Sequence, residues 1–214
     1  MKPGILSAVV ILLGVVAFVA ASTRAQDQSL GQKPKPSMPT SLQAEAVTSA
    51  ASRSPAEKYF SNVELINQDG QKMRFYSDVL KDKVVVINTF FITCTSVCPP
   101  LNRNMEKVQE ALGDRLGKDA FLVSISVDPA ADTPTRLKEY SRRFHARPGW
   151  IFLTGKKENV DWALYKLGQY VEARDDHSTI IIIGNEPKGL WKKAFGLAKP
   201  DELVKIVEDV INDR

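Results

Sequence analysis

Cysteine and histidine are scarce here, with two of each in 214 residues. Both cysteines fall in one stretch, Cys94-Thr95-Ser96-Val97-Cys98-Pro99. No further cysteine exists to build an all-thiolate zinc site. A bridge between Cys94 and Cys98 would close a very short loop. Stabilisation by a disulfide grows with loop length, so this pair makes a weak staple. Neither sign of charge dominates: the formal net charge is only +4. Lysine and arginine alternate with carboxylates, as in Lys156-Lys157-Glu158. A basic stripe with interleaved aromatics is absent, which argues against nucleic acid as a partner. No internal repeat is visible.

What the chain does have is an apolar start and a sizeable core. Lys2 precedes an uncharged run from Ile5 to Ser22. A membrane-spanning helix needs about 20 apolar residues, so this run reads as a transmembrane anchor or a long signal peptide. Its length exceeds the usual h-region and favours the anchor, while Ala20, Ala21, Ser22 and Ala25 would permit cleavage. The positive charge ahead of it places the N-terminus inside and the rest on the exported, periplasmic or equivalent, side. If the signal is cleaved, the domain is soluble there. Residues 1–25 are thus assigned to this segment. Residues 26–56 are rich in Gln, Ser, Thr, Ala and Pro without apolar period, and are expected to be a flexible linker. The chain as a whole is 43% hydrophobic, and residues 57–214 are expected to form one folded domain with a real core.

Within that domain the pattern alternates. Asn62–Asn67 and Met73–Phe75, joined through Asp69-Gly70, predict a hairpin. Lys83–Phe91 and Phe121–Val127 read as buried strands. A helix is expected from Pro99 with Leu101, Met105, Val108 and Leu112 on one face, ended by Gly113. Thr133 and Pro134 open another, as N-cap and first residue, with Leu137, Tyr140 and Phe144 facing in. Trp150–Leu153 is a short strand. Val160, Leu164 and Leu167 mark a helix closed by Gly168. Thr179–Ile183 and Leu190–Phe195 predict a second hairpin, and Pro200 opens a last helix. Strands alternating with helices predict an α/β sheet covered on both faces. Cysteines at the first strand-to-helix junction, with a terminal hairpin and helix, resemble a thioredoxin-like fold with an added N-terminal β-hairpin.

Cys98 lies near a helix N-terminus, where free N–H groups favour thiolates. His145, at a helix end, reads as an exposed or capping residue. His177 precedes the strand Thr179–Ile183. In thioredoxin-like folds that strand is antiparallel and the loop before it faces the cysteines. Thioredoxins carry a cis-proline there; this chain has a histidine. Two thiolates and an imidazole suit copper or zinc. Zinc usually takes a fourth ligand, so copper with two or three ligands is the better fit.

At these residues the chain resembles the Sco/SenC family of exported, copper-binding, thioredoxin-like proteins. The matching pieces are Cys94-Thr-Ser-Val-Cys98-Pro99, Val123-Ser-Ile-Ser-Val-Asp128-Pro129 with Asp132-Thr133-Pro134, Leu137-Lys-Glu-Tyr140, Leu153-Thr154-Gly155 and Asp176-His177-Ser178. They span roughly Phe60 to Val210. The resemblance implies that Cys94, Cys98 and His177 are copper ligands. It implies a copper chaperone for the copper centre of cytochrome c oxidase, partnered by the copper-bearing oxidase subunit or another exported copper protein, and tethered to the membrane by one N-terminal segment. The alternative is a thiol–disulfide oxidoreductase using the redox-active pair Cys94 and Cys98, which can form a disulfide. A peroxidase at Cys94 lacks any recognisable peroxide-activating motif. The chain departs from the family pattern at Thr93, Thr95 and Ser96, where a histidine before the first cysteine and an acidic residue between the two are common. Asp128 and Asp132 read as structural, turning the strand end and starting the helix.

Overall fold

The computed structural model describes residues 35–43 and 53–213. The run Ile5–Ser22 lies outside them. Among the described residues no helix is long and apolar enough to cross a membrane.

The chain order is α1 (Pro55–Phe60), β1 (Glu64–Asn67), β2 (Lys72–Arg74), β3 (Val84–Phe90), α2 (Cys98–Leu112), β4 (Phe121–Ser126), α3 (Pro134–Arg142), β5 (Trp150–Thr154), α4 (Lys157–Lys166), β6 (Ile180–Asn185), β7 (Leu190–Phe195) and α5 (Pro200–Asn212). The strands form one seven-stranded sheet in the order β2-β1-β5-β4-β3-β6-β7. The central strands β3, β4 and β5 are parallel, while β6 runs antiparallel to β3. The expected α/β arrangement, with hairpins at both ends of a thioredoxin-like core, is present.

Alternation along the strands feeds two cores. Val86 and Phe90 of β3 pack on one face with Leu101, Met105 and Val108 of α2 and Leu203, Val207 and Val210 of α5. Val85 and Ile87 pack on the other with Val160, Ala163 and Leu164 of α4 and Phe60 of α1. Period-two burial on strands meets period-3.6 burial on helices, so each face receives one apolar stripe. The Trp191 ring covers Gly184, where an added Cβ would come within 2.3 Å of it. Only glycine permits that approach.

Several elements differ from expectation. The fold begins ahead of residue 57: Ser54 caps α1, its side chain accepting the Glu57 N–H. Leu42, inside the tract read as linker, is buried in the α4-side core. A wide helical turn spans Phe75–Leu80, where the Lys81 N–H reaches back to the Tyr76 carbonyl at 2.8 Å. The Thr133 cap and Pro134 start of α3 stand as expected. Phe144 lies past the end of α3, yet still packs in the core.

β3 also carries a polar residue in what reads as an apolar run. Trp150 Nε1 donates to Ser124 Oγ at 2.9 Å, and Ser124 donates to Asn88 Oδ1 at 2.6 Å. Asn88 Nδ2 donates to Asn102 Oδ1 at 2.9 Å, and Asn102 Nδ2 to the Tyr140 hydroxyl at 3.0 Å. Each of these buried polar atoms has a hydrogen-bond partner, which offsets the cost of burying them. Its effect is to tie the first turns of α2 to β3, β4 and α3.

Candidate metal centre

The parallel and antiparallel neighbours of β3 explain how distant residues meet. The C-terminal end of β3 opens into the cysteine loop. Antiparallel pairing sets Ile87 opposite Ile182, so the start of β6 lies at that same end. His177 stands just before β6. Its Nε2 is 3.1 Å from Cys98 Sγ. The ligand atoms of Cys94, Cys98 and His177 all lie within 4.8 Å of one another. Among the described residues this is the one cluster of its kind. Both cysteines are free thiols, Cys98 fully buried and Cys94 8% exposed.

The local sequence makes the sulfurs unequal. Cys98 is the first residue of α2, followed by Pro99 and Pro100. Prolines in a first turn have no N–H to leave unsatisfied. The N–H of Leu101 is already bonded to the Val97 carbonyl at 3.1 Å. The helix therefore offers one free N–H, that of Cys98, and it points at Cys94 Sγ at 3.4 Å. The Ser96 hydroxyl lies 3.8 Å from the same sulfur. Burial opposes ionisation of Cys94, but bonds from Cys98 and Ser96 outweigh it and hold the thiol below its ordinary value. Cys98 goes the other way. Burial pushes its thiol far above the usual range, and the neighbouring Cys94 pushes it further. Ser96 thus supplies a weak donor from within the loop.

The histidine is fixed from behind. Its Nδ1 bonds the Arg174 carbonyl at 3.0 Å. A carbonyl only accepts, so Nδ1 carries the proton and Nε2 presents its lone pair to the sulfurs. Burial holds the imidazole below its ordinary value, with the Arg174 carbonyl and Asp175 opposing. Arg174 is itself anchored. Its guanidinium pairs with the Asp128 carboxylate and lies 5.1 Å above the Phe91 ring. Phe91 in turn meets the His177 ring edge-on at 5.1 Å.

Asp132 is 1% exposed. Its Oδ2 accepts from Ser126 Oγ at 2.7 Å and from the Ile92 N–H at 3.1 Å, linking the loop after β4 to the loop after β3. Burial raises its pKa, while the Ser126 and Ile92 bonds oppose the rise. The structural reading of Asp132 is thereby extended: it braces the cysteine loop as well as preceding α3. Asp128 also does more than turn a strand, because it holds Arg174. Sequence reasoning missed Arg174, Phe91 and Asn102. His145 stands apart from the cluster, its side chain 78% exposed and its Nδ1 2.6 Å from Glu106 Oε1.

Two soft sulfurs and one imidazole, with no fourth ligand among the described residues, can hold a soft monovalent metal, or the sulfurs can exchange with a disulfide. Comparison with known proteins is consistent across three levels. A family model described as SCO1/SenC matches residues 51–212. The chain is 37% identical over 103 residues to the SCO2-like protein RC0895 of Rickettsia conorii, an alignment that covers 48% of this chain and 48% of that protein. The chain thus spans about half the length of that relative. It is 30% identical over 146 residues to the SCO1 protein homolog of Bacillus subtilis, covering 67% of this chain and 68% of that one. Among solved structures, Arabidopsis thaliana ScoI with copper bound aligns with a TM-score of 0.59 at 25% identity, over 71% of this chain and 96% of that one. Bradyrhizobium japonicum ScoI with copper bound gives 0.58 at 25% identity, over 69% and 96%. With the family model running from ahead of α1 to the end of α5 and the Bacillus relative aligned over two thirds of its length, the chain belongs to the SCO1/SenC family.

Proposed function

We propose that the chain binds copper(I) at Cys94, Cys98 and His177 as cargo, and passes it on in assembly of the copper centre of cytochrome c oxidase. The observation that carries this reading is the convergence of two sulfurs and one imidazole nitrogen within 4.8 Å. Thiolate and imidazole suit copper(I), and the described residues offer no fourth ligand for structural zinc. The two relatives solved with copper bound support the same cargo. In this reading residues Ile5–Ser22 anchor or export the chain, the following tract tethers it, and the domain works on the exported side. The receiving partner is the copper-bearing oxidase subunit or another exported copper protein. Anaerobic titration of the reduced protein with copper(I) against a coloured chelator tests the reading. Equimolar uptake that weakens in His177→Ala supports it; no uptake, or equal binding by the variant, contradicts it.

One observation favours a second reading, thiol–disulfide exchange. Cys94 is the more acidic and more exposed sulfur, and Cys98 lies buried behind it. That is the order needed for attack by one thiolate and resolution by the other. Catalytic reduction of a protein disulfide that survives His177→Ala would favour exchange over copper carriage.

A further inference from the structure

Cys94 has a second neighbourhood that its partners in the cluster do not share. It lines a groove of about 380 Å³ with Ile92, Pro99 and Phe144, while Cys98 and His177 do not line it. Two guanidiniums flank the groove. Arg143 lies 5.6 Å above the Tyr140 ring, and Arg103 lies 5.8 Å above the Phe144 ring. Both rings are buried, at 3% and 4% exposure. Contact with buried rings biases where these exposed cations sit. No carboxylate lines the groove. Among the described residues Arg143 makes no ion pair. Arg103 reaches only Glu106 at 3.4 Å, and the other oxygen of Glu106 holds His145 at 2.6 Å. The approach to Cys94 is therefore apolar at its floor and positive at its rim.

We propose that this groove is the docking subsite for an acidic, cysteine-bearing segment of the exchange partner, with Arg103 and Arg143 taking its carboxylates while Cys94 meets its sulfur. The inference rests on Cys94 being the sulfur through which cargo or electrons pass. Arg forks bind carboxylates in two-point fashion, and clefts of one sign raise the local concentration of the opposite sign. For a disulfide partner the step is balanced as follows. The Cys94 thiolate attacks one sulfur, forms a mixed disulfide and expels the other sulfur as a thiolate. Cys98, giving its proton to the first expelled thiolate, then attacks Cys94, closing the Cys94–Cys98 disulfide and expelling the second thiolate. The protein is oxidised by two electrons, which leave on the partner's two sulfurs.

The test uses three disulfides of different charge on the fully reduced protein: glutathione disulfide, which is an anionic peptide, cystamine, which is cationic, and uncharged 4,4′-dithiodipyridine. Second-order rates are measured by stopped flow and divided by the rates of a free model thiol. The subsite predicts that the glutathione-to-cystamine ratio exceeds the model thiol's by about tenfold at low salt and collapses at high salt. It further predicts inversion of the ratio in Arg103→Glu/Arg143→Glu and its retention in Arg103→Lys/Arg143→Lys, with the dithiodipyridine rate of each variant serving as the reference for any change in Cys94 reactivity common to the three reagents. A ratio equal to the model thiol's, while dithiodipyridine reacts and copper(I) still binds, overturns the subsite alone. Failure of all three reagents overturns the subsite together with Cys94 as the exchanging sulfur.

Discussion

Cys98 and His177, 79 positions apart, meet with sulfur and Nε2 3.1 Å from each other. The meeting follows from one antiparallel pairing, β6 against β3, which carries the loop before β6 to the end where β3 releases the cysteine loop. The ring is turned the right way because its other nitrogen is bonded to Arg174. Sulfur and nitrogen can both ligate one ion only while that orientation holds.

The two thiols should react in sequence. Cys94 is held below its ordinary value and retains 8% exposure, whereas Cys98 is fully buried and raised by that burial. Timed alkylation with iodoacetamide, read by peptide mass, is expected to label Cys94 first by about tenfold or more, since the thiolate is the nucleophile. Equal labelling of both cysteines in the folded protein would contradict the asymmetry.

Asp128 should act on the site through Arg174. Asp128→Asn weakens the ion pair that anchors the turn carrying His177. Loss of such an outer support typically lowers metal affinity by about 10–100-fold. Copper(I) competition titration should show a drop smaller than that of His177→Ala, with a thermal midpoint near wild type. Unchanged affinity would mean that the His177 turn holds itself.

Acid should destabilise the metal-free protein partly through His177. Burial lowers its folded value, while in the unfolded chain a histidine titrates near about 6.5. Between those two values the unfolded state binds the proton and the folded state does not. Stability from this group is therefore full above about pH 6.5 and falls as pH drops through that window. Asp132 is raised by burial and works in the opposite sense at lower pH, equally in wild type and variant. Urea unfolding at about pH 7 and about pH 5.5 should show a smaller decrease for His177→Asn than for wild type. Equal decreases would rule out a buried, neutral imidazole.

The polar relay should be expensive to break from one side. Asn102→Leu leaves Asn88 Nδ2 without its acceptor and the Tyr140 hydroxyl without its donor. An unsatisfied buried group costs about 1–3 kcal/mol. Urea unfolding should show a loss in that range with an unchanged slope. A neutral result would mean that the relay contributes nothing net.

How much of this was legible in the chain depends on the range of the interaction. Runs such as Lys83–Phe91 and the stripe Leu101, Met105, Val108, Leu112 state their own structure, because burial patterns repeat within a few residues. The six-residue α1 has no apolar period inside its polar tract, and the wide turn at Phe75–Leu80 follows no common template. At the site, Cys94 and Cys98 declare themselves by spacing. His177 was reachable only through the fold, by knowing which strand reverses. Asp128 and Arg174 are 46 positions apart, and nothing in either local sequence marks them as partners. Asn88 hides for the opposite reason: one amide in a run of apolar residues looks incidental until its relay is seen.

X-ray absorption at the copper edge of the anaerobically loaded protein tests the central claim most directly. The account predicts copper(I) bound by two sulfurs and one nitrogen, from Cys94, Cys98 and His177, with the nitrogen contribution lost in His177→Ala. Coordination by sulfur alone in the wild-type protein, or a nitrogen contribution that persists in the variant, would contradict it.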